Sequence, residues 1–348
     1  MTDILEFRFH ARSGPPGSAA LAGHLVSQSG PAGRITYHDV GALGARDLTS
    51  TLRSQGQDAL WLNSVWDREF TLPILFARAI GKLPRIPALL STRGEMSREA
   101  LALQPQRKRA MRWLLRNTPL LENVTFHVTG PIEAQDVGRS FPGHAIFQAG
   151  NIRSLPPLPP RRVSEQTIPR LMFLGRISPV KGLDNALYAL ALVETPVRFD
   201  IYGPVHNEAY WDKCRALIAS LPNHITVHHH GPIQNRDASE QFANADLFLN
   251  LSSSENFGHT IFESLAAGTP VLTGQKTPWN ALEKQCAGFN RPSDDPVQTA
   301  AAIDAYLSLT AAEHENWRRA ARALAARFVE EQTDRDLWRQ WFVEAATS

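Results

Sequence analysis

Cysteine is scarce in this 348-residue chain, with only Cys214 and Cys286 present. Two thiols cannot build a disulfide framework or a four-cysteine zinc site, so reduced thiols are expected. No uninterrupted apolar run approaches the roughly 20 residues of a membrane-spanning helix. The opening MTDILEFRFHARSG carries charges where a secretion signal would be apolar. A cytoplasmic setting is the expectation. Charge of one sign is also lacking: 36 Lys and Arg against 34 Asp and Glu leave a formal +2. That balance gives no reason to expect a nucleic-acid partner. The P-loop pattern GxxxxGK[ST] and the dinucleotide fingerprint GxGxxG are both missing. No internal repeat or low-complexity block is present.

What is there is ordinary globular material, 43% hydrophobic and 20% charged. Short apolar runs alternate with longer segments of helical period. Strands are predicted at ILEFRFH, RITYHDV, ALWLNSV, IPALLS, NVTFHV and HAIFQ, with helices at AALAGHLV, TLPILFARAIG and QRKRAMRWLLRN. SLPPLPPRRVSEQ (154–166) reads as a stiff, extended connection and as the domain boundary. Beyond it the alternation restarts with PRLMFLG, VRFDIYG, HITVHHHG, DLFLNLS and PVLTG as strands between helices. Such units build parallel sheets covered on both faces. The expected fold is α/β: two Rossmann-like doubly wound domains facing across a cleft. The first spans 1–160 and the second 167–311. A helical segment, 312–348, carries Trp317, Trp338 and Trp341 and is expected to pack back across both.

Two motifs in the second half carry chemistry. In LMFLGRISPVKGLDNAL a strand ends at Gly175, Arg176 and Lys181 follow, and Gly182 opens a helix. Two cations in one turn can converge on a diphosphate, Arg as a planar fork and Lys as a point charge. Each taken alone reads equally as a solvated turn residue. In SSSENFGHTIFESLAAGTPV a serine turn follows a strand, and Glu255 and Glu263 flank a helix start. Free N–H groups there suit phosphate or sugar hydroxyls. Two readings of Glu263 stand open. It accepts hydroxyls of a ligand, or it closes a capping box with Thr260 as N-cap. Phe257 is expected to pack beneath the loop.

Together GRISPVKG, ENFGHTIFE and AAGTPV resemble, in order and spacing, the C-terminal domain of the retaining glycosyltransferases of family 4, which have the GT-B fold. The resemblance is close over Arg170–Phe289, looser over Ile4–Asn151, and extends to members that build bacterial surface polysaccharides. It implies a nucleotide-diphosphate sugar as donor and a saccharide or lipid-linked saccharide as acceptor. Gly175, Arg176 and Lys181 would meet the donor diphosphate, and Glu263 the ribose hydroxyls. Glu255 would address the transferred sugar, with Phe257, Gly258, His259 and Thr260 lining phosphate and sugar. Gly203 and Gly231 would border the base. No metal or other cofactor is required on this reading, and no Asp-x-Asp pair stands in a donor position. Many members place a histidine or aspartate near the reacting carbon in the N-terminal domain. Here the segment reads STRGE, with Arg93 and Glu95, and Asn63 and Asp67 are further candidates.

His228, His229 and His230 invite a metal assignment, but strand alternation sends 228 and 230 to one face and 229 to the other. The basic helix 106–117 reads as a solvated face or as a contact with an anionic membrane surface from the cytoplasmic side. The rivals to transfer are a sugar-nucleotide epimerase or phosphorylase on the same fold, and a non-catalytic nucleotide- or glycan-binding protein.

Overall fold

The computed structural model describes residues 6–11, 34–39, 45–55, 57–102, 104–161, 168–253, 255, 257–332 and 334–347. The helix expected at AALAGHLV lies outside them. The chain divides into two compact units, 1–154 with 332–348, and 155–331.

In the first unit, β1 (Glu6–Ala11) and β2 (Arg34–Asp39) pair in parallel. A second parallel sheet follows in the order β3 (Leu60–Asn63), β4 (Ala88–Ser91), β5 (Val124–Val128), β6 (Ile146–Gln148). Its helices are α1 (Ala45–Gln55), α2 (Thr71–Ala79), α3 (Arg98–Ala102), α4 (Pro105–Asn117) and α5 (Pro131–Ser140). Leu75, Leu90, Phe126 and Phe141 fill the core on one side. On the other lies the C-terminal helix (Asp334–Thr347), whose Trp338 and Phe342 pack on Leu89 and Ala149. The tryptophan-bearing tail is thereby split. Trp317 belongs to the helix of the second unit, while Trp338 is buried in the first.

A polar chain crosses this sheet beneath Trp338. The Trp61 indole N–H donates to Ser91 Oγ at 2.8 Å, and Ser91 Oγ lies 2.8 Å from His127 Nδ1. His127 Nε2 lies 2.9 Å from the Ala149 carbonyl. A carbonyl only accepts, so Nε2 carries the proton and Nδ1 accepts from Ser91. Burial, with a smaller contribution from the nearby Arg93 charge, pushes the His127 pKa down to about 4. Between pH 6.5 and that value the unfolded chain binds a proton that the folded chain refuses. Stability therefore falls as pH drops through this window. The loss approaches about 3 kcal/mol near pH 4. Denaturant midpoints at pH 7 and 4.5 test this, and His127→Gln flattens the difference.

The second unit is one parallel sheet. Its strands are β7 (Arg170–Leu174), β8 (Val197–Tyr202), β9 (Ile225–Gly231), β10 (Leu247–Asn250), β11 (Val271–Thr273) and β12 (Gly288–Asn290), in the spatial order β12-β11-β10-β7-β8-β9. The connecting helices are α6 (Leu183–Leu190), α7 (Glu208–Ala219), α8 (Asn235–Asn244), α9 (His259–Ala266), α10 (Pro296–Leu307) and α11 (Ala311–Glu330), and α12 is the C-terminal helix of the first unit. β7 and β10 are mostly apolar because both faces are covered, as a parallel sheet requires, while β8 carries Arg198 and the buried Asp200 among its apolar residues. Numbered within the unit, the order is that of the doubly wound dinucleotide folds. The chain reverses direction of growth between β7 and β10, and ligands bind such sheets at the carboxyl ends flanking that reversal. α11 docks through Arg318, whose buried guanidinium caps the carbonyls of Ala243 and Ala245 at the end of α8. The proline-rich stretch joins this unit: Leu155 packs on its core and Arg161 pairs with Asp246.

Candidate functional site

Both chemical motifs flank the reversal. Gly175 follows β7, and Ser252 follows β10. The two loops are stitched together: the Ser253 N–H donates to the Val180 carbonyl at 3.0 Å. Gly182 has φ +63°, and a Cβ there would stand 2.1 Å from the Leu251 carbonyl oxygen. Only glycine permits that approach, and it is what brings Lys181 beside the β10 loop.

Lys181 and Glu255, 74 residues apart in sequence, meet in an ion pair with Nζ 2.7 Å from Oε1. Both side chains are part-buried. Ser252 Oγ also lies 2.7 Å from Glu255 Oε1, and 2.7 Å from Asn250 Oδ1. One hydroxyl proton cannot serve two acceptors, while the buried Asn250 Nδ2 has no partner. The Ser252 N–H donates to the same Asn250 Oδ1 at 3.4 Å, which keeps the amide oxygen toward the serine, so the hydroxyl proton goes to either Asn250 or Glu255. The Glu255 N–H is itself held by the Lys276 carbonyl at 3.0 Å. Arg176 is exposed and bonds to no described residue, so its guanidinium faces solvent with its donors available.

The capping box expected at Thr260 does not form. The N-cap lies two residues earlier, at Gly258 with φ +75° and no side-chain cap, and α9 begins at His259. A Cβ on Gly258 would stand 2.8 Å from Ile261 Cδ1 and 3.2 Å from the Trp279 ring, so tight packing selects the glycine over a serine or threonine cap. The first intrahelical bond is Phe262 N–H to the Gly258 carbonyl. The Thr260 N–H precedes that bond, in the first turn where helices bind anions. Phe257 packs against Trp279 and Phe328, and the Trp279 indole donates to the Phe257 carbonyl at 2.7 Å. Trp279 and Ser252 therefore shape the loop, although neither stands out in sequence. Glu263 is half-buried one turn into α9.

Gly175, Gly203 and Gly231 end three adjacent strands. The Gly203 N–H donates to the Gly231 carbonyl at 2.8 Å, and the Gly175 N–H to the Tyr202 carbonyl at 3.0 Å. The histidines divide as alternation predicts: His230 stacks on Tyr202, and His229 meets Trp211 across the other face. His230 Nε2 lies 2.6 Å from the buried Asp200, which also pairs with Arg170 and Arg198. Arg170, Arg198, Tyr202 and His230 line a cavity of about 940 Å³ whose lining includes neither Lys181 nor Glu255. Its arginines and His230 are closed on Asp246 and Asp200, so we place the chemistry at the strand reversal instead. No group of three or more His, Cys, Asp or Glu among the described residues could hold a metal ion. No helix among them is long and apolar enough to cross a membrane.

Comparison with known proteins bears on the family and the fold. Residues 160–324 match the family described as Glycosyl transferases group 1. A D-inositol 3-phosphate glycosyltransferase from Arthrobacter sp. (strain FB24) is 29% identical over 126 residues, 34% of this chain and 30% of the relative's length. Sucrose-phosphate synthase from Thermosynechococcus elongatus superposes with a TM-score of 0.73 at 15% identity, covering 98% of this chain and all of that one. Anabaena HepE in complex with UDP-glucose superposes with a TM-score of 0.67 at 17% identity, covering 99% of each chain. At such identities the likeness is one of fold, and the fold is the two-domain α/β GT-B architecture.

Proposed function

We propose, from a group 1 glycosyltransferase domain on a GT-B fold, that the chain moves a sugar from a nucleotide-diphosphate donor to a saccharide or lipid-linked saccharide hydroxyl. It does so with retention, in bacterial polysaccharide or glycolipid synthesis. The observation that carries this reading is the meeting of Lys181, Glu255 and the α9 N-terminus at the strand reversal. Arg176, Lys181 and the α9 N–H groups stabilise charge on the departing diphosphate. Glu255 accepts from the sugar's hydroxyls, held in place by Ser252, and Glu263 accepts from ribose. Gly203 and Gly231 leave room for the base. The bond from the sugar's anomeric carbon to the diphosphate oxygen breaks, and the acceptor oxygen bonds to that carbon on the same face. The acceptor's proton leaves with the diphosphate. Neither glutamate is a hydrolase acid or base on this account.

α4 adds a surface. It carries Arg107, Lys108, Arg109, Arg112 and Arg116 with no acidic residue, and Trp113 stands 66% exposed beside Leu114. That combination fits an anionic bilayer on the cytoplasmic side.

A donor screen beginning with UDP-glucose, read by release of the nucleoside diphosphate, tests the reaction. Binding without turnover on any acceptor would favour the non-catalytic rival. Glu263→Ala is expected to weaken nucleotide binding about 10-fold, and Glu255→Ala to lower turnover about 100-fold with smaller change in nucleotide affinity. Wild-type values in both variants would remove the assignment.

A further inference from the structure

A second set of polar groups converges in the first unit, at the carboxyl ends of β3, β4 and β6. Asn63 is the last residue of β3, Arg93 lies just beyond β4, and Asn151 follows β6. The Arg93 guanidinium donates to Asn63 Oδ1 through Nε at 3.2 Å and Nη2 at 2.8 Å, and to Asn151 Oδ1 through Nη1 at 3.0 Å. Both partners are neutral amides. Arg93 is exposed, and no described carboxylate forms an ion pair with it. Three of its five N–H donors are engaged, so two remain.

The neighbouring carboxylates are turned elsewhere. The buried Glu133 accepts from Thr92 Oγ1 at 2.7 Å, the Gly94 N–H at 2.6 Å, and the Thr129 N–H and Oγ1 at 2.8 and 2.9 Å. Glu95 accepts from Ser64 Oγ at 2.5 Å and the Val65 N–H at 2.6 Å. Each glutamate therefore fixes a loop and forms no ion pair with the arginine, although desolvation holds the Arg93 pKa below its usual value and the Glu133 charge partly offsets this. The loops so fixed are strained. Arg93 itself has φ +50°, and Ser64 has φ +71°. A side chain in the left-handed region costs about 1–2 kcal/mol and persists where its surroundings over-determine it, a pattern concentrated at functional sites.

We propose that Arg93, oriented by Asn63 and Asn151, is an oxyanion receptor for a phosphate or carboxylate group on the acceptor. A guanidinium held by neutral amides keeps its full charge and presents a fixed fork, the arrangement that recognises oxyanions in two-point contact. The carboxyl ends of parallel strands are where such sheets take ligands. Assigning the anion to the acceptor rests on the transferase reading above. The receptor itself does not.

The test reads the Arg93 Nε–Hε resonance in arginine-labelled protein, assigned by its loss in Arg93→Gln. Inorganic phosphate and acetate are titrated separately at constant ionic strength, without nucleotide and again with saturating UDP. A saturable shift that survives UDP is expected, and the better of the two ions identifies the group. Asn63→Ala keeps the charge and is expected to raise the midpoint several-fold, with thermal melting as the check on folding. In transfer assays, Arg93→Gln should raise KM at least 10-fold for an anionic acceptor and leave that of an uncharged one unchanged. No shift with either ion would overturn the receptor. A shift abolished by UDP would assign Arg93 to the donor and overturn the acceptor role. Failure of every donor to react would leave the ion titrations readable and would count against the transferase reading alone.

Discussion

Lys181→Ala lowers turnover by about 10²–10³-fold, the loss expected when one preorganised cation is removed from a developing negative charge. The ammonium is delivered by a chain of local constraints. β7 ends at Gly175, the backbone turns through Pro179–Lys181, and Gly182 closes against the Leu251 carbonyl. The side chain then lies 2.7 Å from Glu255. Because charge on the diphosphate grows toward the transition state, kcat and kcat/KM fall together. Arg176→Ala is expected to be milder, about 10-fold, because an exposed guanidinium is screened by water.

The pairing makes a sharper statement. Removing Lys181 leaves a part-buried carboxylate held by Ser252, so the single variant suffers a lost cation and a disturbed Glu255. The double variant Lys181→Ala, Glu255→Ala should therefore lose less than the product of the single losses. Strict additivity, or Lys181→Ala within two-fold of wild type, would place the diphosphate elsewhere.

The legibility of this site followed the range of the interactions. Arg176, Lys181, Glu255 and Glu263 were readable because each sits in a short pattern whose spacing reflects one turn. That Lys181 and Glu255 meet was not readable, since 74 residues separate them and the contact depends on the β10–β7 pairing. Ser252 acts on Glu255 through a side chain that resembles any turn residue. The Thr260 cap failed because ring packing at Trp279, distant in sequence, favours Gly258 at the helix start. In the fold, the strand–helix alternation was plain. α5 was not read as a helix, because its buried positions are Glu133, Asp136, Val137 and Ser140 and show no apolar stripe. Glu133 has half of its partners in Thr92 and Gly94, some 40 residues upstream. β12, three residues long, is too short for any period to register.

Gly203→Ala is expected to destabilise the second unit by about 3–4 kcal/mol and to abolish nucleotide binding with it. Gly203 has φ +139°, a conformation that side chains rarely adopt, and a Cβ there would lie 1.9 Å from the Gly175 carbonyl oxygen. That obstacle is backbone, and it cannot swing aside as a long side chain would. Relief requires the ends of β7 and β8 to separate, which breaks the Gly175 N–H bond to Tyr202 and shifts the loop carrying Arg176 and Lys181. The family resemblance implies that this glycine borders the base. Its close approach to Gly175 is a reason of a different kind, acting on the fold before any ligand arrives. Gly81→Ala separates the two contributions. Its φ is +76°, but a Cβ meets nothing within 4 Å, so only the conformational cost of about 1 kcal/mol applies. Denaturant titration of both variants, with UDP binding measured below each transition, distinguishes the cases. A Gly203→Ala protein as stable as Gly81→Ala, binding UDP normally, would show that β7 and β8 can part without cost and that the strand ends do not set the geometry of the site.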